Sequence, residues 1–151
     1  MSSAGLEPID RAILRELVVD GRCSFTDLAE RVGLSVSAVH QRVRRLEQRG
    51  VLHGYAARVD YPELDLPLTA LISLTPIDPA APDDYPARLH HLPQIESCYS
   101  VAGDESYVLV VRVASPLALE ELLRQIREAA NVSTRTTVVL STPFEARPPA
   151  V

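Results

Sequence analysis

Between Arg31 and Gly50 the chain carries five arginines, Arg31, Arg42, Arg44, Arg45 and Arg49, against one acid, Glu47. The whole protein has a formal net charge of −5 at pH 7, so this is one basic element on an acidic molecule. Such an element suits a focused anion site better than general polycation behaviour. All fifteen basic residues are arginine, and a guanidinium matches phosphate oxygens in bidentate fashion. Ser35, Ser37, His40 and Gln41 stand among the arginines, with hydroxyl, imidazole and amide groups that can hydrogen-bond base edges. A second candidate is Gly103-Asp104, a glycine that permits close backbone approach followed by an acceptor for an ammonium group. Read alone, those two residue types fit an ordinary hairpin turn equally well.

Other chemistry is sparse. Cys23 and Cys98 lie 75 positions apart, which excludes a Cys-x-x-Cys zinc or redox motif and leaves two buried reduced thiols as the expectation. His90 and His91 are adjacent and point to different helix faces, whereas helical metal ligands usually sit at i, i+4. There is no phosphate-cradling glycine loop, no nucleophile elbow and no His-Glu-x-x-His, so neither a cofactor nor a metal is expected. No apolar stretch nears the roughly 20 residues of a membrane span, and Met1 to Leu6 has no signal-peptide core. The expected location is the cytoplasm.

Three helices position the basic element. Ile9, Ile13, Leu14 and Leu17 recur at helical spacing, with Pro8 in the first turn and Asp20-Gly21 at the end. Ser24 caps a second helix with Phe25, Leu28, Ala29 and Val32 on its apolar face, broken at Gly33. Ser35 caps a third, with Val36, Val39, Val43 and Leu46 inside, ending at Gly50. Ser37, Gln41, Arg44 and Gln48 fall opposite, flanked by Ala38, His40 and Arg45. Val51 to Val59 reads as two short strands around Gly54. The small residue Ala29, the turn glycine Gly33 and the β-branched Val39 stand where a helix-turn-helix needs them. With the cap, the local charge and the hairpin, they predict a winged helix-turn-helix over residues 1–60. A bare three-helix bundle with a solvated arginine face is the weaker alternative.

Composition then shifts. Residues 1–60 hold nine Arg and eight acids (+1), residues 61–151 six Arg and twelve acids (−6), and eleven of the twelve prolines follow residue 61. A linker is expected at 61–67 and a second domain at 68–151. Its strands are read at Leu68–Leu74, Ile95–Val101, Tyr107–Val113 and Thr134–Leu140. A short helix, with Pro86 in its first turn and Leu89 and Leu92 inward, lies between the first two. A longer one, started by Ser115-Pro116, carries Leu119, Leu122, Leu123 and Ile126 inward, with Asn131 just past its end. The order β-α-β-β-α-β predicts a ferredoxin-like domain and an α+β chain. The third strand is apolar continuously from Tyr107 to Val111, so the sheet face without helices needs another subunit to cover it, and at least a dimer is expected.

The sequence resembles the leucine-responsive regulatory protein/AsnC family of transcription regulators, especially actinobacterial members. Ile9 to Leu14, Leu28 to Ser35, Val39 to Gly50, Gly54-Tyr55, the Ser97 to Val101 run and Ala102-Gly103-Asp104 carry the likeness. The resemblance implies an amino-acid-responsive regulator whose ferredoxin-like domain dimerises, whose dimers often form an octameric ring, and whose ligands bind between dimers. It assigns Ser35, Ser37, His40, Gln41, Arg42, Arg44 and Arg45 to double-stranded DNA. It assigns Gly103, Asp104, Ser106, Thr137 and Val138 to the effector. Family members often carry Gly-Asp-x-Asp at that turn, where this chain has Ser106 in the last place, and Thr137 replaces an aromatic of some amino-acid-binding members. Two other classes stay open: a nucleoid-type architectural DNA-binding protein with no ligand switch, and a small enzyme on the sheet, for which no acid/base or metal constellation is found.

Overall fold

The computed structural model describes residues 5–149. The chain forms two compact units, one built from residues up to Arg58 together with those from Phe144 onward, the other from Val59–Pro143.

In the first unit α1 (Pro8–Val19) starts on an N1 proline and ends at Asp20, while α2 (Phe25–Val32) and α3 (Val36–Gln48) follow serine caps. Ser24 Oγ accepts from the Asp27 N–H at 3.0 Å and donates to the Asp27 carboxylate at 2.7 Å. Ser35 Oγ accepts from the Ala38 N–H at 3.2 Å. These bonds satisfy amides that lack a partner in the first helical turn. Gly33 takes φ +71°, the left-handed conformation that lets the chain leave α2 and start α3 at once. The three helices enclose Ile13, Leu14, Leu17, Leu28, Ala29, Val39, Val43 and Leu46. Phe25 and Val36, expected inside, are 38% and 46% exposed. Each is the first residue of its helix, where the Cα–Cβ bond tilts toward the N-terminus and away from the shared core.

The expected pair of strands around Gly54 does not form: residues 51–59 contain no strand. The amides of Val51 and Leu52 bond the Leu46 carbonyl at 2.9 and 3.1 Å, and His53 Nε2 lies 2.6 Å from the Gly50 carbonyl. Those donors close the end of α3, and an isolated two-stranded ribbon is marginal at best. In place of a hairpin, the segment after α3 is irregular, with the Tyr55 hydroxyl donating to Glu47 at 3.3 Å.

The second unit runs β1 (Leu68–Pro76), α4 (Tyr85–Leu89), β2 (Ile95–Ser100), β3 (Tyr107–Val113), α5 (Pro116–Ala130) and β4 (Val132–Val138). The sheet order is β2-β3-β1-β4 with every neighbouring pair antiparallel, the ferredoxin-like arrangement. Ser115 caps α5 by accepting from the Ala118 N–H at 3.1 Å. Asn131 ends α5 at φ 54° and turns the chain straight into β4, which therefore begins and ends two residues earlier than the Thr/Val run suggests. Both helices cover one sheet face, over Ala70, Ile72, Leu74, Leu109, Val111, Val113 and Val132. On the other face Leu71 stands between Val110 and Thr137, and Ser73 between Val108 and Arg135. Leu71 is 38% and Tyr99 55% exposed there, so the chain alone leaves this face open.

The stretch read as a linker is not a free tether. Pro62–Leu64 is a 3-10 turn belonging to the second unit. At the other end residues from Phe144 join the first unit, where Arg58 Nη2 donates to the Glu145 carbonyl at 3.2 Å. The cysteines are not both buried either: Cys23 is half-buried and Cys98 exposed, because edge strand β2 has a neighbour on one side only.

Candidate nucleic-acid interface and turn site

Helix α3 divides its polar residues between two tasks. Ser37, His40, Gln41, Arg44 and Arg45 are exposed. Ser35 is exposed too, but its hydroxyl is occupied by the cap and lies 3.2 Å from the Ser37 hydroxyl. The His40 ring meets Phe25 edge-on, with centroids 5.0 Å apart. Arg42, expected among the phosphate contacts, turns the other way. Its Nη1 donates to Asp10 Oδ1 at 2.8 Å and Glu7 Oε2 at 2.9 Å, and Asp10 is only 2% exposed. Hydrogen bonds to Asp10 and then Glu7 raise the guanidinium above its ordinary range. Arg42 therefore neutralises a buried carboxylate and ties α3 to α1, and we reassign it from the reading face to the frame. Arg31 is likewise turned to Glu16, at 3.2 Å.

Asp10 was a legible residue that sequence reasoning passed over. It sits at i relative to Ile13, Leu14 and Leu17 at i+3, i+4 and i+7, so the helical period alone puts an acid in the apolar stripe. Buried acids are normally paired, and only the fold shows that the partner is 32 positions away.

The turn between β2 and β3 is pinned at its base. Val101 N–H donates to the Ser106 carbonyl at 3.0 Å, and Ser106 N–H to the Leu74 carbonyl at 2.9 Å. Gly103 at φ +146° holds a conformation that side chains disfavour, and Asp104 is exposed beside it. Glu105 pairs with Arg135 of β4 and so ties the turn to the sheet. Gly103, Asp104 and Ser106 thus share one turn. Thr137 and Val138 do not join it. Leu74 lies opposite Thr134, so Thr137 is three residues, about 10 Å, further along β4. Thr137 lies on the open face and Val138, opposite Ala70, on the helix face. A single protomer does not gather these five residues into one pocket.

Arg112 was also passed over. It is 9% exposed, although it sits on the open face of β3. It pairs with Glu96, donates to Thr69 Oγ1 at 2.9 Å, and its guanidinium carbon stands 3.6 Å from the Tyr61 ring centroid. The guanidinium holds the Glu96 carboxyl below its usual range. Tyr61 is thereby fastened to the sheet, which explains why the 3-10 turn belongs to this unit.

A three-helix head with a capped, cation-bearing third helix, joined to a ferredoxin-like domain, defines a DNA-binding regulator with a ligand-binding domain. The known proteins carry this further. The winged helix-turn-helix DNA-binding family matches residues 6–52, and the Lrp/AsnC ligand binding domain matches residues 69–149. The HTH-type transcriptional regulator LrpA of Mycobacterium tuberculosis is 57% identical over 94% of this chain and 95% of its own length. The leucine-responsive regulatory protein of Escherichia coli is 39% identical over 89% of this chain and 85% of its own. A feast or famine regulatory protein from M. tuberculosis, solved in complex with L-methionine, superposes with a TM-score of 0.93 at 56% identity, covering 96% of this chain and all of that one. The chain belongs to the Lrp/AsnC family of DNA-binding transcriptional regulators.

Proposed function

We propose that α3 reads the major groove, that the open sheet faces of two chains join, and that an amino acid bound at the Gly103-Asp104 turn, between dimers, shifts assembly and hence DNA affinity. The observation that carries the first part is the outward face of α3. Gln41, Arg44 and Arg45 are exposed on it, and among the described residues no ion pair engages Arg44 or Arg45. Residues in the N-terminal half of a recognition helix touch base edges, so Ser37 and Gln41 specify, while Arg44 and Arg45 hold phosphates. Arg45→Ala is expected to weaken binding to all sequences alike and to lower the slope of log affinity against log salt by about one, read by fluorescence anisotropy. A loss of preference at one base pair alone would show that the contacts are sorted wrongly.

Support for an amino-acid effector is the L-methionine complex of the similar protein, together with the exposed glycine-acceptor pair at the turn. Thr137 and Val138 of a neighbouring chain would have to complete such a pocket, since one protomer keeps them apart. A ligand held between dimers favours the assembled form and must shift that equilibrium. The number of half-sites one particle engages then changes, and affinity follows through effective concentration. An octamer of four such dimers is the assembly we favour. This is a reading of a binding protein rather than an enzyme, working in the cytoplasm; no helix among the described residues is long and apolar enough to cross a membrane.

The test is calorimetry with the twenty amino acids, paired with sedimentation. A selective ligand should bind wild type and lose about tenfold or more on Asp104→Ala, the worth of a hydrogen bond to a charged group. Equal binding to both would misassign the ammonium acceptor. If none of the twenty bound or changed DNA affinity, the architectural reading would replace this one.

A further inference from the structure

The DNA-facing end of α3 presents an apolar surface that none of the polar contacts above uses. Val36, the first residue of the helix, is 46% exposed. Phe25, the first residue of α2, is 38% exposed, and its ring holds His40 edge-to-face. His40 lies at i+4 from Val36, so the two share one helix face. Of the polar residues at this end, the Ser35 hydroxyl is spent on the helix cap, which leaves Ser37 as the exposed hydroxyl beside Val36. Val36 belongs neither to the buried cluster of this unit nor to the apolar residues packed against it. It stands among the N-terminal residues of the helix, which are the ones that contact base edges in a helix-turn-helix.

The major groove offers one apolar group, the C5-methyl of thymine. We propose that Val36 is a specificity-determining residue that packs against a thymine methyl in the operator, with Gln41 further along the helix reading the hydrogen-bonding edges. This rests on the major-groove reading of α3 above. The occupant follows from the exposed row Val36, His40 and Arg44, at i, i+4 and i+8 of one helix: Arg44 supplies positive charge toward a duplex, and Val36 supplies the apolar contact.

The experiment begins with an operator selected from random duplexes by the wild-type protein. Each thymine is then replaced singly by deoxyuridine, which removes only the methyl. One replacement should weaken wild-type binding about fourfold, the value of one buried methyl-sized group. Val36→Ala should weaken binding to the thymine operator by a similar factor and be indifferent to deoxyuridine at that position, while keeping wild-type affinity for non-specific duplex. If Val36→Ala lowered affinity equally for the thymine and deoxyuridine operators, or not at all, the proposal would be overturned with the DNA-reading function intact. If the wild type selected no sequence and bound no duplex, both readings would fall together. Circular dichroism melting of Val36→Ala should match wild type, since the residue is outside the core.

Discussion

Arg42→Ala is expected to cost the N-terminal unit about 3–5 kcal/mol, because it strands a buried carboxylate without its partner. Asp10 is 2% exposed and Arg42 supplies its ion pair at 2.8 Å, whereas Glu7, with a side chain 55% exposed, adds little. For a unit this small, the lower end of that range already corresponds to a fall in Tm on the order of 10–20 °C. Differential scanning calorimetry of Arg42→Ala beside Arg45→Ala separates the two arginines of one helix: the first should melt early, the second at the wild-type temperature. Replacing both partners with apolar residues, Asp10→Leu with Arg42→Met, should recover much of the loss, since the penalty comes from the unpaired charge. If Arg42→Ala melted like wild type and merely bound DNA less well, Arg42 would return to the reading face.

The second large effect concerns assembly. Val110 stands in the middle of the open sheet face, opposite Leu71 on β1 and Ser97 on β2. Val110→Asp places a charge where a second sheet would lie. An uncompensated buried charge costs several kcal/mol, and every 1.4 kcal/mol is tenfold in the association constant, so the dimer should weaken by about a hundredfold or more. Multi-angle light scattering across a dilution series reads the result. Leu140→Asp is the companion variant: Leu140 is 95% exposed beyond the end of β4, and assembly should be unchanged. An unaltered mass for Val110→Asp would remove the sheet from the interface, as would a stable, folded wild-type monomer.

The helix boundaries were legible because they depend on neighbours in sequence. Ser24, Ser35 and Ser115 cap within three residues of themselves, Pro8 and Pro116 start helices with a missing donor, and Gly33 and Asn131 end them in the left-handed region. The period of the apolar residues placed Ile13, Leu28, Val39, Leu122 and Ile126 in the two cores, and the order of elements gave the ferredoxin-like sheet. Each of these rests on a choice the chain makes locally, so a reading of short windows recovers it.

What tertiary structure alone decided lies between residues far apart in the chain. Composition counts Arg42, Arg44 and Arg45 alike, yet one is drawn inward by Asp10 across 32 positions and the others face outward. Arg112 looks like a break in an apolar strand until Glu96, Thr69 and Tyr61 close around it. The residues after Gly54 carry strand-like types, but amides just before them were already committed to the end of α3, and no ladder forms. Thr137 and Val138 are neighbours in sequence and fall on opposite faces of β4, because side chains alternate along a strand and burial on one face selects the register. A sequence states which groups are available; which of them are spent on one another is a long-range energy, and only the folded chain settles it.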